Sequence, residues 1–243
     1  MGPIHCRLYR SNPDGTAPLL IFFHGGGFIS CDLETHDEIC RVLAQSAGVQ
    51  VLSVDYSLAP EATRPRQLEE AVAIGQWAVT HACALGAKRA HIALGGDSSG
   101  AYLAVRTALV MNHGAVGQIR AQLLLYPLIQ MDAAAWAMPR FSIGRTVGRI
   151  ATGLIRHHLG GAYSSLLMED LSIAPPTLLI TGGLDPTRLD AESLATALNA
   201  VGVTAHLKHY PRLPHGGFNL VHRSARARAD LTNVGNMLRA MLT

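Results

Sequence analysis

His91-Ile92-Ala93-Leu94-Gly95-Gly96-Asp97-Ser98-Ser99-Gly100 runs directly into Ala101 to Met111, and this join decides the fold. Ile92-Ala93-Leu94 is a short apolar run, Ala101 to Met111 is helical in character, and a serine stands at the apex between them. The pieces spell strand, sharp turn, helix. Gly96, Ser98 and Gly100 fit the pattern G-x-S-x-G, in which a nucleophile is held in a strained backbone conformation with its hydroxyl projecting from the sheet edge. Glycine two residues to either side removes side chains that would collide with strand and helix. A glycine-rich turn could equally cradle phosphate. Here Asp97 occupies the place of the middle glycine in a dinucleotide fingerprint and no Gly-Lys-Ser/Thr follows, while a carboxylate is electrostatically wrong for phosphate.

A serine hydroxyl alone is a poor nucleophile; it needs a base, an acid to orient that base, and donors for the oxyanion. Upstream, the apolar run Leu19 to Phe23 leads into His24-Gly25-Gly26-Gly27-Phe28. Three glycines after a buried strand let the backbone approach a ligand and aim its N–H groups inward, where one oxyanion donor is worth roughly 3 kcal/mol of barrier. Glu34 to Ala47 carries a helical stripe at Ile39, Val42 and Leu43, Val49 to Val54 reads as a buried strand, and Leu68, Ala71, Val72, Gly75, Ala78, Val79 and Ala82 mark a second helix. Strand and helix alternate, which predicts an α/β fold with a mostly parallel sheet and helices on both faces.

Downstream, Leu123 to Tyr126 is a strand ended by Pro127. The stretch of about 129–176 breaks the alternation and reads as an insertion over the catalytic face, with helical potential near Thr146 to Leu159. Within it His157 and His158 are adjacent and so do not share a helix face, which argues against a metal site. The sheet resumes at Thr177 to Thr181, placing Asp185 just beyond a strand's carboxyl end, where catalytic groups of α/β folds collect. Asp190 is a rival, but it falls inside the next helix, Arg188 to Ala200, where a carboxylate is expected to face solvent. Thr204 to Lys208 reads as the final strand and Tyr210 to Gly217 as a loop that can carry His215 towards the serine. The order Ser98, Asp185, His215 is the chain order of an α/β-hydrolase triad.

Composition narrows the class further. At 243 residues and 49% hydrophobic the chain suits a single domain, 1–243, burying roughly 70–75% of its unfolded surface. A net charge of +3, with Arg223, Arg226 and Arg228 on a terminal helix as the nearest thing to a basic cluster, gives no nucleic-acid footprint. Cys6, Cys31, Cys40 and Cys83 have neither C-x-x-C nor zinc spacing and read as free buried thiols. With no signal-like apolar region near the start, no run long enough to span a membrane and no lipidation motif, a cytoplasmic protein is expected.

His24 to Phe28, Asp55 to Glu61, Gly96 to Gly100, Asp185-Pro186 with Asp190, and His215-Gly216 together resemble the hormone-sensitive-lipase-like, or family IV, microbial esterases of the α/β-hydrolase superfamily, from about Arg7 to the last helix. The resemblance implies a carboxylesterase with Ser98 as nucleophile, His215 as general base and then acid, Asp185 orienting the imidazole, and an oxyanion hole from the N–H groups of Gly26, Gly27 and Ser99. It implies a small-molecule ester as substrate, no metal or organic cofactor, and a homodimer through the edge strand Thr204 to Lys208. Short acyl chains are expected, because the insertion is small and has few aromatics. Two other readings are open: an amidohydrolase or deacetylase using the same triad, and a small-molecule receptor, though a receptor usually lacks a triad member. Family members usually begin with a further helical cap segment; here the glycine motif arrives at position 24, so that segment is expected to be absent, either naturally or by truncation. Ser57 replaces the family's usual Arg, Ser99 replaces Ala, and His215-Gly216-Gly217-Phe218 has one glycine more than the usual His-Gly-Phe.

Overall fold

Alternation along one strand divides the hydrophobic core in two. In β2 (Ala17–Phe23), Leu19, Ile21 and Phe23 face one side of the sheet and Leu20 and Phe22 the other, all fully buried, as period-2 geometry requires of a strand covered on both faces. The first face packs against α2 (Arg64–Thr80), α3 (Ser99–Gly114) and α4 (Arg188–Ala200). The second packs against α1 (Asp37–Ala47) and α5 (Ala225–Leu242). The computed structural model from which these positions are taken describes residues 2–11, 15–114, 119–130, 153, 157 and 164–243.

The remaining strands are β1 (His5–Tyr9), β3 (Gln50–Asp55), β4 (Ala87–Asp97), β5 (Ala121–Leu125), β6 (Thr177–Leu184) and β7 (Ala205–Pro214). Among the described residues the strands form one seven-stranded sheet in the order β1-β3-β2-β4-β5-β6-β7, with only β1 antiparallel to its neighbour. This is the mostly parallel α/β architecture, covered on both faces, that the alternating pattern predicts. Because the other strands run parallel, their carboxyl ends share one edge, and the segments after β2, β4, β6 and β7 meet there.

Three local expectations need correction. The last strand does not stop at Lys208 but continues to Pro214, its register against β6 shifting between Gly182 and Leu184. Pro211 and Pro214 suggested a loop; β7 is an edge strand, where a residue without an N–H leaves no ladder bond broken. Asp190 does not face solvent: it is buried, and its Oδ2 accepts from the N–H groups of Ile129 (3.1 Å) and Gln130 (3.2 Å). Of the four free thiols only Cys40 is buried, and Cys83 is exposed.

Much of the insertion expected over 129–176, including the helix near Thr146 to Leu159, lies outside the described residues. Its two described ends meet, with Leu166 N–H donating to the Ile129 carbonyl (3.2 Å), and its return leg contains the short helical turns Leu166–Met168 and Leu171–Ile173.

Candidate active site

β4 ends at Asp97 and α3 begins at Ser99, so Ser98 alone makes the turn. Its φ of +52° is a left-handed value that costs a residue with a side chain about 1–3 kcal/mol. Neighbouring backbone holds it there: Ser98 N–H donates to the Leu125 carbonyl (2.9 Å), and the Ser98 carbonyl accepts from Leu128 N–H (3.1 Å). The flanking glycines are required by contact. A Cβ on Gly100 would lie 2.0 Å from the Phe23 oxygen, and one on Gly96 would lie 2.5 Å from the same atom, because the first turn of α3 rests on the end of β2.

Ser98 Oγ lies 2.8 Å from His215 Nε2, and His215 Nδ1 lies 2.9 Å from Asp185 Oδ1. The structure therefore joins these three residues, drawn from the ends of β4, β6 and β7, in one hydrogen-bonded line. Donation from Nδ1–H to the carboxylate leaves Nε2 as an acceptor for the serine hydroxyl. Asp185 Oδ1 also accepts from Thr187 N–H (2.8 Å) and Thr187 Oγ1 (2.9 Å). The side chain of Asp185 is wholly buried, whereas that of His215 is 33% exposed. Burial works against the imidazolium, but the hydrogen bond and charge of Asp185, with smaller help from Asp97 and Asp190, outweigh it and hold His215 above the ordinary histidine value.

Behind the imidazole lies Tyr126, its ring centroid 5.3 Å away, and Phe218 lies 5.8 Å beyond that. The extra glycine is taken up in a helical turn at Gly217–Leu220 preceded by Gly216 at φ +67°, and Phe218 stays fully buried in this aromatic backing.

The glycine loop after β2 is a tight turn in which the Gly26 carbonyl accepts from Ile29 N–H (3.2 Å) and Ser30 N–H (3.1 Å). Gly25 N–H donates to Asp97 Oδ1 (2.6 Å). Among the described residues no acceptor engages the N–H groups of Gly26, Gly27 or Ser99. Ser99 opens α3, so its N–H has no partner within the helix. Three unengaged donors next to a serine can together receive a developing negative charge.

Several residues of this region escaped the sequence reading. Thr187 left a usable signal, since a hydroxyl residue two positions after Asp185 fits an Asx turn. Tyr126 left none, and neither did His36, which lies 3.0 Å from Asp97 Oδ1 in a fully buried contact. Nearby, a cleft of about 240 Å³ is lined by Phe28 of the glycine loop, Leu68 and Gln67 of α2, and Tyr102 and Leu103 of α3, one helical turn beyond Ser98. Among the described residues no three His, Cys, Asp or Glu side chains are arranged to hold a metal, and no helix is long and apolar enough to cross a membrane.

Comparison with known proteins agrees with this geometry. Residues 20–219 match a family described as having the alpha/beta hydrolase fold. The chain is 36% identical to carboxylic ester hydrolase LipN of Mycobacterium tuberculosis, with all of this chain aligned to 68% of that one. It is 30% identical to an acetyl esterase of Salmonella typhi, across 88% of this chain and 69% of the relative. Among solved structures it superimposes on a hyperthermophilic esterase of Pyrobaculum calidifontis with a TM-score of 0.90 at 30% identity, covering 100% of this chain and 83% of the other.

Proposed function

The chain belongs to the α/β-hydrolase family that it matches over residues 20–219, and from that premise we propose that it is a serine carboxylesterase acting on short-chain esters. One observation carries the reading: the continuous line Ser98–His215–Asp185 at 2.8 and 2.9 Å beside unengaged backbone donors. In this reading His215 Nε2 takes the Ser98 proton as Oγ attacks the ester carbonyl. The oxyanion accepts from Gly26, Gly27 and Ser99, as electrostatic stabilisation of acyl transfer requires. The tetrahedral adduct collapses when His215 returns that proton to the leaving alcohol oxygen, leaving an acyl-Ser98. Water, deprotonated by His215, then attacks the acyl carbon; the acid leaves and Ser98 regains its proton. Asp185 stays ionised throughout and fixes the tautomer.

Support for short acyl chains comes from the acetyl-esterase relatives. A dimer through β7 is supported by its place at the sheet edge, with Leu207 40% exposed, and sedimentation across a concentration series tests it. Four cysteines without a disulfide suit a reducing compartment such as the cytoplasm.

The test is initial rates on p-nitrophenyl esters from acetate to laurate, for the native chain and Ser98→Ala. Turnover should peak at short chains and fall at least about 10³-fold in the variant. Retained turnover in Ser98→Ala would remove the nucleophile assignment, and a preference for long-chain triglycerides over butyrate-sized esters would remove the chain-length assignment.

A further inference from the structure

Beneath the glycine loop lies a buried charged pair that no step of the reaction above uses. Asp97, the residue before the nucleophile, is 2% exposed and His36 is 1% exposed, on the turn that enters α1. His36 Nε2 sits 3.0 Å from Asp97 Oδ1; burial works against the imidazolium, but the charge of Asp97 and its contact with the ring hold His36 above the ordinary histidine value. The other ring nitrogen, Nδ1, is 3.0 Å from Thr35 Oγ1. Asp97 Oδ1 also accepts the 2.6 Å hydrogen bond from Gly25 N–H. A Cβ on Gly25 would lie 2.5 Å from Asp97 Oδ2, so the first glycine of the loop sits directly on the carboxylate.

The loop is braced from its other side too. His24 stacks on Tyr56 with ring centroids 4.5 Å apart, and Tyr56 donates its hydroxyl hydrogen to the His24 carbonyl at 2.8 Å. His24 lies 5.6 Å from His36, ring centroid to ring centroid, and burial together with the neighbouring His36 charge holds it below the ordinary histidine value, against an opposing contact with the Gly25 carbonyl. One histidine held below and one held above the ordinary histidine value thus flank the strand-to-loop junction. A buried carboxylate without a counter-charge would be protonated or would move towards water. With His36 in place it stays ionised and fixed.

Resting on the esterase reading above, we propose that His36 and Asp97 are positioning residues for the oxyanion hole: the pair ties the glycine loop to the nucleophile turn through Gly25 and so sets where the Gly26 and Gly27 N–H groups point. The connectivity is short. Asp97 is bonded to Ser98 in sequence and to Gly25 in space, so one carboxylate fixes the distance between the attacking oxygen and its donors. That distance matters in the tetrahedral state far more than in the bound ester, because the oxyanion is displaced from the carbonyl position and carries the charge.

The experiment compares the native chain with His36→Gln, which keeps a polar side chain and loses the charge, on p-nitrophenyl butyrate. Active sites are counted by phosphonate titration, melting temperature is measured, and affinity for a methyl trifluoromethyl ketone, which adds to the serine as an oxyanion, is determined alongside. A fall of about 10- to 100-fold in kcat per titrated site is expected, with KM within about twofold and ketone affinity weakened in parallel with kcat/KM. An unchanged kcat per titrated site, with only a lower melting temperature or fewer titratable sites, overturns the proposal. If His36→Gln does not fold, Asp97→Asn and Gly25→Ala carry the same readouts: the first removes the charge while keeping an oxygen for Gly25 N–H, the second pushes the loop off the carboxylate. Native turnover that Ser98→Ala abolishes, together with unaltered kcat in these variants, refutes the positioning role and leaves the esterase reading standing. A native chain without Ser98-dependent turnover refutes the esterase reading instead.

Discussion

The two halves of the candidate site are built on opposite principles. On the base side, His215 stands on the segment after an edge strand, one-third exposed, and is steered by a single carboxylate oxygen that receives three donors. On the oxyanion side, Gly25, Asp97 and His36 are buried beneath the half-buried Gly26 and Gly27, and an added methyl group at Gly25, Gly96 or Gly100 meets another atom at 2.5 Å or less. In the proposed reaction the base side works through charge and must be reached by solvent, since protons and water would enter and leave there. The oxyanion side works through fixed dipoles, whose advantage is that they need not reorganise during the reaction. Damage to the first should therefore appear in rate and pH dependence, and damage to the second in packing as well as rate.

The largest expected effect is on the base side. Asp185→Asn removes the charge while keeping nearly the same shape, and its amide can present an N–H to His215 Nδ1, favouring the wrong tautomer. A loss of about 10³–10⁴ in kcat is expected. The pH profile supplies the sign. In the proposed reaction imidazolium is the inactive form, and Asp185 raises the pH at which it gives up its proton, so the acid limb of kcat/KM in the native chain should lie above the ordinary histidine value. In Asp185→Asn the residual activity should have that limb at lower pH. The same shift acts oppositely on folding: a raised histidine value stabilises the fold fully below the unfolded-chain value and is lost as pH rises through the folded one. Activity thus grows over the range in which this part of the stability disappears. An acid limb that stays in place in Asp185→Asn would break the assignment of charge to this half.

Gly100→Ala probes the other half. The new Cβ would sit 2.0 Å from the Phe23 oxygen and 2.5 Å from the His24 oxygen, both main-chain atoms at the end of a central strand and unable to move aside cheaply. A loss of roughly 3 kcal/mol is expected from such overpacking, a fall in Tm of about 6–12 °C for a chain of this size. Calorimetry or denaturant unfolding measures it. A Gly100→Ala variant as stable as the native chain would show that the turn has slack, and the contrast between the halves would fail.

The same contrast explains what could be read from the sequence. The alternation of strand and helix was legible from apolar periodicity, and the turn at Ser98 and the glycine loop were legible because glycine at those positions is a steric necessity, and necessity leaves a fixed residue type. Asp185 was legible from its place after a strand with Gly182-Gly183 before it and Pro186 after. The full length of β7 was hidden because Pro211 and Pro214 carry the local signal of a loop, although on an edge strand a residue without an N–H breaks no ladder bond. Asp190 was misread for a related reason: helical phase can mark a face, but the Ile129 and Gln130 N–H groups that it satisfies come from the other side of a long insertion. Its burial holds it above the usual carboxylate range despite those bonds. His36 lies 61 positions from Asp97, and nothing in its local pattern announces a buried partner.

Thr187 gives the smallest effect and the finest resolution of the base side. Its hydroxyl supplies one of three bonds to Asp185 Oδ1 and stands 3.3 Å from His215 Nδ1, so it shares the carboxylate oxygen with the imidazole. In Thr187→Val the main-chain N–H of residue 187 still donates to Oδ1, and the branched shape still fills the buried position. The loss should be that of one hydrogen bond to a charged group, about 1.5–3 kcal/mol at most, and less in kcat because the bond is present before and after the proton moves. A fall in kcat of less than about tenfold with unchanged KM is therefore expected, measured on the same butyrate ester. A fall approaching that of Asp185→Asn would mean that the hydroxyl is needed to aim the carboxylate, and that the base side too is held by geometry rather than by charge.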